Sequence, residues 1–335
     1  MRVTFYEMLP VEQETMEQLL PGHECIFVDG TLSEKNAQSA VGSEVVCVFV
    51  NCQINRAVIN ALPELKFIAT RSTGFDHIDL DAAKERGVAV STVPGYGSRT
   101  VAEFTFGLIL TLSRNIFRAR LRLLEGAHFS IADLEGFDLF GKTLGVVGTG
   151  RIGKNVILIA KGFGMHVLAY DPYPDLGFAA ATGFSYVALQ ELLAQSDIVT
   201  LHAPSTKETH HLINADNIFS MKKGALLINT ARGELVETDA MVRALTAGHL
   251  GGVGLDVLED ERALREEAEL LARAPEKLTD FKMLYENHLL MDQPNAVLTP
   301  HIAFSTREAV REILETTAKN IQAYASGTPQ NVVNP

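Results

Sequence analysis

The sequence predicts an α/β protein made of two doubly wound, parallel-sheet domains. Three observations carry that expectation. The chain is 335 residues long, enough for two domains. Strand-like and helix-like segments alternate through both halves, the pattern of βαβ units. The units recur at roughly 25–30 residues, the spacing of doubly wound folds.

In the first series "RVTFYE" reads as a strand, "EQETMEQLL" as a helix and "ECIFV" as a strand. A polar helix from Ser33, the strand "VVCVFV" and the helical "NRAVINALP" follow. The strand "LKFIATRS", a helix over Asp79 to Arg86 and the strand "VAVSTV" close this series. From Ser98 an apolar-periodic helix is expected to run to about Leu124, its first part buried. A second series opens at "KTLGVVGTGRIG" and continues through "MHVLAYD", "DIVTLHAP", "ALLINTA" and "GGVGLDV" to "AVLTPH". A last helix, Thr306 to Ser326, has no counterpart of its length in the first series and is expected to return to it. The expected division is therefore residues 1–98 plus 304–335 as one discontinuous domain and residues 99–303 as the other.

Composition narrows the function. A hydrophobic content of 47% with 21% charged residues is that of a globular protein. The formal charge of −12 argues against nucleic acid or an anionic membrane as a partner, so an anionic substrate must be drawn in by local cations. The N-terminus has no signal-peptide pattern, and the apolar run Phe104 to Leu112 is far too short to span a bilayer. Cys25, Cys47 and Cys52 are an odd number without a CxxC pair, which points to free thiols in a reducing cytoplasm.

The glycine pattern Gly148-x-Gly150-x-x-Gly153 follows a strand and opens a helix, with Arg151 and Ile152 inside it. The first glycine permits a tight turn, the second a close approach to a pyrophosphate, and the third helix–strand packing. The helix N-terminus faces the phosphates. Asp171 closes the next strand, 23 residues past Gly148, where a carboxylate binds the ribose hydroxyls and repels a 2′-phosphate. The cofactor read from these residues is NAD rather than NADP.

A nicotinamide enzyme acting on a carbonyl needs an anchor for its substrate and a proton donor. "ALLINTARGELVET" places Arg232 in a turn at the carboxyl end of a strand, before a helix expected to open at Glu234. There its planar, always-charged fork suits a carboxylate, although a surface-turn arginine is the plainer alternative. "VLTPHIAF" places His301 past the last strand, on the same sheet edge, with a side chain that titrates near neutrality. A carboxylate partner would orient it. "GLDVLEDE" offers Asp256, Glu259, Asp260 and Glu261, among which the residues alone do not choose.

"GTGRIG", "LHAPSTKETHHLIN", "LLINTARGELV", "GLDVLEDE" and "LTPHIAF", in this order, resemble the NAD-dependent D-2-hydroxyacid dehydrogenase family. "RSTGFDHIDLDAAKERGVAV" and "VPGYG" extend the likeness over essentially the whole chain. The resemblance implies two Rossmann-like domains with a cleft between them, and a homodimer built on the coenzyme domain. It matches Arg232 to the carboxylate-binding arginine, His301 to the acid/base and Glu261 to its partner. It places Asp256 near the nicotinamide, leaving Glu259 and Asp260 as solvated residues. By the same likeness His202, Ala203, Pro204, Thr209, Thr230, Ala231, His301 and Ala303 lie along the cofactor. Ser72, Thr73 and Gly74 then present backbone N–H groups to the substrate carboxylate.

The 44 residues between Asp256 and His301, with the helical "RALREEAELLAR", resemble the D-lactate dehydrogenase branch, as do Tyr96 and Phe304 at substrate-side positions. An aromatic wall suits a small alkyl group and lacks cations for a phosphate. Pyruvate is therefore the expected substrate. A branched 2-oxoacid, glyoxylate and hydroxypyruvate are the alternatives, and an NAD-sensing, corepressor-like protein is the alternative of another class. Phe104 stands where relatives commonly carry histidine, which bears on substrate choice. No metal site is expected: His210 and His211, placed on a strand, would point to opposite faces, and no metal-ligand spacing occurs. His77, His128, His166, His249 and His288 are expected on surfaces or in satisfied turns.

Overall fold

The computed structural model describes residues 1–124, 126, 129–261 and 278–335. His128 and the segment "RALREEAELLAR" lie outside the described residues. The chain divides into two compact units, residues 1–96 with 305–335, and residues 97–304.

The first unit runs β1 (Arg2–Tyr6), α1 (Pro10–Leu19), β2 (Glu24–Val28), a 3-10 segment (Glu34–Ala40), β3 (Val45–Val48) and α2 (Arg56–Ala61). It continues with β4 (Phe67–Thr70), α3 (Leu80–Glu85), β5 (Ala89–Ser91) and the C-terminal helix Arg307–Ala325. Its five strands are all parallel, in the order β2-β1-β3-β4-β5. Both faces are covered, so the strands are continuously apolar and alternate residues serve opposite cores. Val45, Cys47, Phe67 and Ala69 pack with Leu314, Ala318 and Ile321 of the C-terminal helix. Val46, Val48 and Ile68 pack with Val58, Ile59, Ala82 and Ala83 on the other side. The polar helix expected from Ser33 is a 3-10 segment, closed by Ser33 N–H donating to Asn36 Oδ1 at 2.8 Å.

The second unit runs α4 (Ser98–Ser113), α5 (Ile116–Leu124), β6 (Thr143–Val147), α6 (Arg151–Gly162), β7 (His166–Tyr170) and α7 (Leu176–Thr182). After β8 (Ser185–Tyr186), α8 (Leu189–Gln195) and β9 (Ile198–Leu201) come β10 (Ala225–Asn229), α9 (Thr238–Thr246) and β11 (Leu250–Leu255). A helix Leu278–Met291 and β12 (Ala296–Leu298) complete it. Its parallel sheet has the order β12-β11-β10-β9-β6-β7-β8, which reverses direction beside β6, where the glycine loop begins. Phe104 packs on the core formed by α4, α6 and this sheet, which accommodates its bulk.

Two helix expectations need correction. The helix from Ser98 does not run unbroken to Leu124. Asn115 takes a left-handed φ of 51°, and its side-chain amide donates to Glu135 O at 3.0 Å. Asparagine tolerates that conformation better than other non-glycine residues, so the chain turns there and restarts as α5. Nor does a helix open at Glu234. Gly233–Leu235 is a single 3-10 turn and Val236 is extended. The backbone bonds run sideways, His211 N–H to Glu234 O and Ile213 N–H to Leu235 O, burying Leu235 and Val236 before α9 begins.

Ile321 is fully buried against β1, β3 and β4 although it lies far from them in sequence. Ile321→Ala should cost about 2–5 kcal/mol and speed amide exchange in those strands. Exchange that quickens only in residues 97–304 would contradict this packing.

Candidate active site

Three groups of residues at the carboxyl ends of the second unit's strands make up the site. The first is the turn after β6. Gly148 has φ +90°, and a β-carbon there would lie 2.7 Å from the backbone carbonyl of His202. A β-carbon at Gly153 would collide with the carbonyl oxygen of Gly148. Only glycine lets the loop lie this close to residues 202–203 and helix α6 pack this close to the loop. At Gly150, the N-cap of α6, a side-chain carbon would meet no atom within 4 Å. The front of the turn is thus clear for a dinucleotide at a helix N-terminus, and the residues present fit that group. Arg151 is exposed on the first turn of α6, and Ile152 packs half-buried on the core behind it.

Asp171 stands at the end of β7. Its Oδ2 accepts from Thr149 N–H at 2.7 Å and Thr149 Oγ1 at 3.0 Å, and its Oδ1 from Tyr173 N–H at 2.8 Å. Thr149 also meets the Tyr186 hydroxyl at 2.9 Å. The sequence reading missed Thr149 and Tyr186; the variable position inside GxGxxG carries no signal of its own, and Tyr186 arrives from a separate strand.

His202 follows β9. Its backbone N–H donates to Val147 O at 2.7 Å, and its Nε2 lies 2.9 Å from Thr200 Oγ1. Its Nδ1 is buried with no hydrogen-bond partner among the described residues. Burial pushes this imidazole down to about 3, so it is neutral in the folded protein. Beyond it, Thr209 Oγ1 donates to Pro204 O at 2.6 Å and accepts from Thr206 N–H, closing the loop that carries Ala203 and Pro204.

The second group is the turn after β10. Asn229 acts as its staple: Oδ1 accepts from Ala231 N–H at 3.0 Å and Nδ2 donates to Arg232 O at 2.8 Å. Arg232 is extended, and its Nη1 donates to Ala231 O at 2.8 Å. Thr230 Oγ1 meets Thr105 Oγ1 of α4 at 3.1 Å, both buried. Asn229 and Thr105 were not legible as site residues, because each looks like an ordinary core position in its own element.

The third group is built on Asp256. This side chain is buried at the end of β11, and burial raises its carboxyl, partly offset by the donors around it. Oδ1 accepts from Thr299 Oγ1 at 2.5 Å and Ile302 N–H at 2.9 Å; Oδ2 accepts from Ala303 N–H at 2.8 Å. The carboxylate therefore holds both sides of the turn that presents His301. His301 itself has φ 56°, and its N–H donates to Asp256 O at 2.9 Å. Its Nδ1 lies 3.1 Å from Glu261 Oε2, with both side chains about three-quarters buried (22% and 25% exposed). Glu261 Oε1 accepts from Leu258 N–H at 3.3 Å. Of the four acidic residues left open, Glu261 is thus the one paired with His301.

Glu259 is not solvated as expected. Its side chain is only 13% exposed: Oε1 lies 2.7 Å from His211 Nε2, and Oε2 accepts from Thr238 Oγ1 at 2.8 Å. Asp260, half-buried, takes the left-handed φ of 51° that swings Glu259 and Glu261 apart. His210 and His211 do not point to opposite faces either. They lie in a turn, His211 has φ 51°, and the two rings lie 4.0 Å apart between centroids, tilted by 32°. Among the described residues His210, His211 and Glu259 form one group whose donor atoms lie within 4.8 Å of one another.

The other candidates lie in the first unit or at the chain's crossings. Ser72 Oγ donates to Gly74 O at 2.6 Å and Thr73 Oγ1 to Val93 O at 2.8 Å, which fixes that turn after β4. Tyr96 and Phe304 are half-buried. His166 and His288 are exposed, His249 Nε2 reaches Met221 O at 3.0 Å, and His77 reaches Thr70 Oγ1 at 3.2 Å. The three cysteines are free. Among the described residues no helix is long and apolar enough to cross a membrane.

A glycine turn at a helix N-terminus, an acidic residue closing the next strand and a carboxylate-paired histidine define a nicotinamide-dependent oxidoreductase. Residues 106–303 match the family described as D-isomer specific 2-hydroxyacid dehydrogenase, NAD binding domain. D-lactate dehydrogenase of Escherichia coli (strain K12) is 40% identical over 333 residues, covering 98% of each chain. A 2-hydroxyacid dehydrogenase homolog of Haemophilus influenzae is 42% identical over 314 residues, 92% of this chain and 91% of that one. The structure of D-lactate dehydrogenase from Aquifex aeolicus complexed with NAD and lactic acid superposes with a TM-score of 0.88 at 36% identity over 99% of both chains. The chain belongs to the D-isomer specific 2-hydroxyacid dehydrogenase family, on the branch that includes the D-lactate dehydrogenases. It is an NAD-dependent 2-hydroxyacid dehydrogenase.

His202 supplies a pH test. Its folded value lies below the ordinary histidine range, so its contribution to stability is complete above about pH 6.5 and is lost as the pH falls toward about 3. The loss should approach about 1.4 kcal/mol per pH unit in that window. Urea midpoints at pH 7.5 and 5 should therefore differ less in His202→Gln than in the parent chain. An equal acid loss in both would remove His202 as the cause.

Proposed function

We propose that this enzyme reduces pyruvate to D-lactate. The observation that carries the reading is the His301–Glu261 pair on a turn clamped by Asp256, in a sheet that also carries Arg232. The D-lactate dehydrogenases among its relatives support the choice of substrate. Residues 99–303 serve as the NAD-binding domain, and residues 1–98 with 304–335 as the substrate-binding domain.

In this reading the glycine turn of Gly148, Gly150, Arg151, Ile152 and Gly153 holds the pyrophosphate and Asp171 the adenosine ribose. His202, Ala203, Pro204, Thr209, Thr230, Ala231, Asp256 and Ala303 line the rest of the cofactor. Bound reduced NAD supplies the hydride. Arg232 pairs with the substrate carboxylate through two parallel N–H···O bonds and so fixes which carbonyl face is presented. Ser72, Thr73 and Gly74 add backbone donors to that carboxylate. His301 gives its proton to the carbonyl oxygen as negative charge develops there, and regains one from solvent. Glu261, holding Nδ1, leaves Nε2 for that transfer. Tyr96 and Phe304 wall the methyl group, which favours pyruvate over charged or phosphorylated oxoacids.

A homodimer built on the coenzyme unit is supported by α5, where Ile116, Phe117, Leu123 and Leu124 are exposed together with Phe129 and Ile131 nearby. A cytoplasmic location, with no nucleic acid or membrane partner, is supported by the free cysteines and the charge of −12.

The deciding assay is NADH oxidation with pyruvate, 2-oxobutyrate, 2-oxoisocaproate, glyoxylate and hydroxypyruvate, with chiral analysis of the product. The expected outcome is the highest kcat/KM for pyruvate and a D-lactate product. A preference for a branched or hydroxylated oxoacid would keep the chemistry and change the substrate; negligible turnover beside a stably bound protein would favour a regulatory role. His301→Ala should lower kcat by roughly 10²–10⁴-fold while NADH still binds; intact turnover would remove His301 as the acid. Arg232→Lys keeps the charge and loses the planar fork, so KM for pyruvate should rise clearly. An unchanged KM would count against the carboxylate pairing.

A further inference from the structure

The function just proposed leaves one cluster of metal-binding side chains unused. His210, His211 and Glu259 each offer one ligand atom, and these atoms lie within 4.8 Å of one another. We propose that they form a binding site for a divalent first-row transition cation of the zinc type.

Two imidazoles and a carboxylate are a donor set that suits such an ion, whereas magnesium and calcium prefer all-oxygen sites. Tetrahedral ligands at about 2.1 Å from a common ion stand about 3.4 Å apart. The atoms here lie within 4.8 Å of one another, so they must draw together to bind an ion, and His210, whose side chain is exposed, has room to move.

The other two donors are held in place without an ion. His211 is kept at φ 51°, its N–H bonded to Glu234 O at 2.7 Å and its carbonyl accepting from Asn214 Nδ2 at 2.9 Å. A non-glycine residue in the left-handed region is uncommon, and these two bonds hold His211 there. Glu259 presents Oε1 to His211 while Thr238 holds Oε2, so an outer-shell bond already orients the ligating carboxylate. The ion replaces the His211–Glu259 hydrogen bond and draws in His210. The exposed side of the cluster supplies a fourth, water-filled position. Such an ion would tie the turn around residues 207–211 to the one around residues 258–261.

The site is separate from the His301–Glu261 pair, because Glu259 and Glu261 leave Asp260 with different partners. The test therefore uses His210→Ala, a residue assigned no role toward cofactor or substrate. Full-length protein stripped with chelator and then freed of it is titrated with Zn²⁺ by calorimetry. Co²⁺ absorption reports the coordination. One ion per chain is expected, binding at least about tenfold more weakly in His210→Ala, with the Co²⁺ spectrum altered in the same variant. His301→Ala should bind as the parent does. Absence of saturable binding would overturn the proposal. So would stoichiometric binding that His210→Ala leaves unchanged, or that His301→Ala abolishes.

Discussion

The second unit's chemistry depends on how one buried carboxylate is satisfied. Asp256 sits at the end of β11 with two oxygens to place where water is largely excluded, and it places them on Thr299, Ile302 and Ala303. Those bonds cross from β11 to the segment after β12 and close the turn on which His301 sits at a positive φ. A hydrogen bond to a charged group is worth about 1.5–3 kcal/mol, comparable with what a strained residue costs. The left-handed histidine is therefore maintained by the carboxylate beneath it, and the Nδ1–Glu261 contact is built on top of that frame.

The same device recurs at the neighbouring strand. Asn229, buried at the end of β10, turns its amide onto Ala231 and Arg232 as Asp256 turns its carboxylate onto residues 299–303. Its carbonyl also accepts the Asp256 N–H at 2.9 Å, so the two turns share a backbone link. In each case a short polar side chain at a strand end replaces the ladder bonds that the strand no longer makes, which is how a loop can be rigid enough to aim a functional group. The glycine turn after β6 reaches rigidity differently, by having no side chains where backbone meets backbone.

Charge is organised on a similarly local scale. The chain as a whole is acidic, yet at these strand ends the carboxylates are paired with backbone donors, threonines or histidines. Buried polar groups of this kind are tolerated because they are matched, and the matching fixes their direction. His202 is an exception, a buried ring with one nitrogen unmatched among the described residues, and it is kept neutral by its surroundings.

The parallel sheets, the glycine turn and the places of an arginine and a histidine just past strand ends were legible in the sequence, because each is written in consecutive residues. Continuous apolar runs become strands buried on both faces, and GxGxxG has one geometry after a strand. What the tertiary structure decided are the choices among near-equivalent residues. Glu259 and Glu261 differ only in which neighbour waits for them, and the left-handed Asp260 between them sends one to His211 and the other to His301. His210 and His211 are brought together by a backbone conformation that no local pattern announces. Helix ends moved for the same reason: Asn115 and Val236 answer to residues distant in sequence, whose bonds outweigh local helical preference.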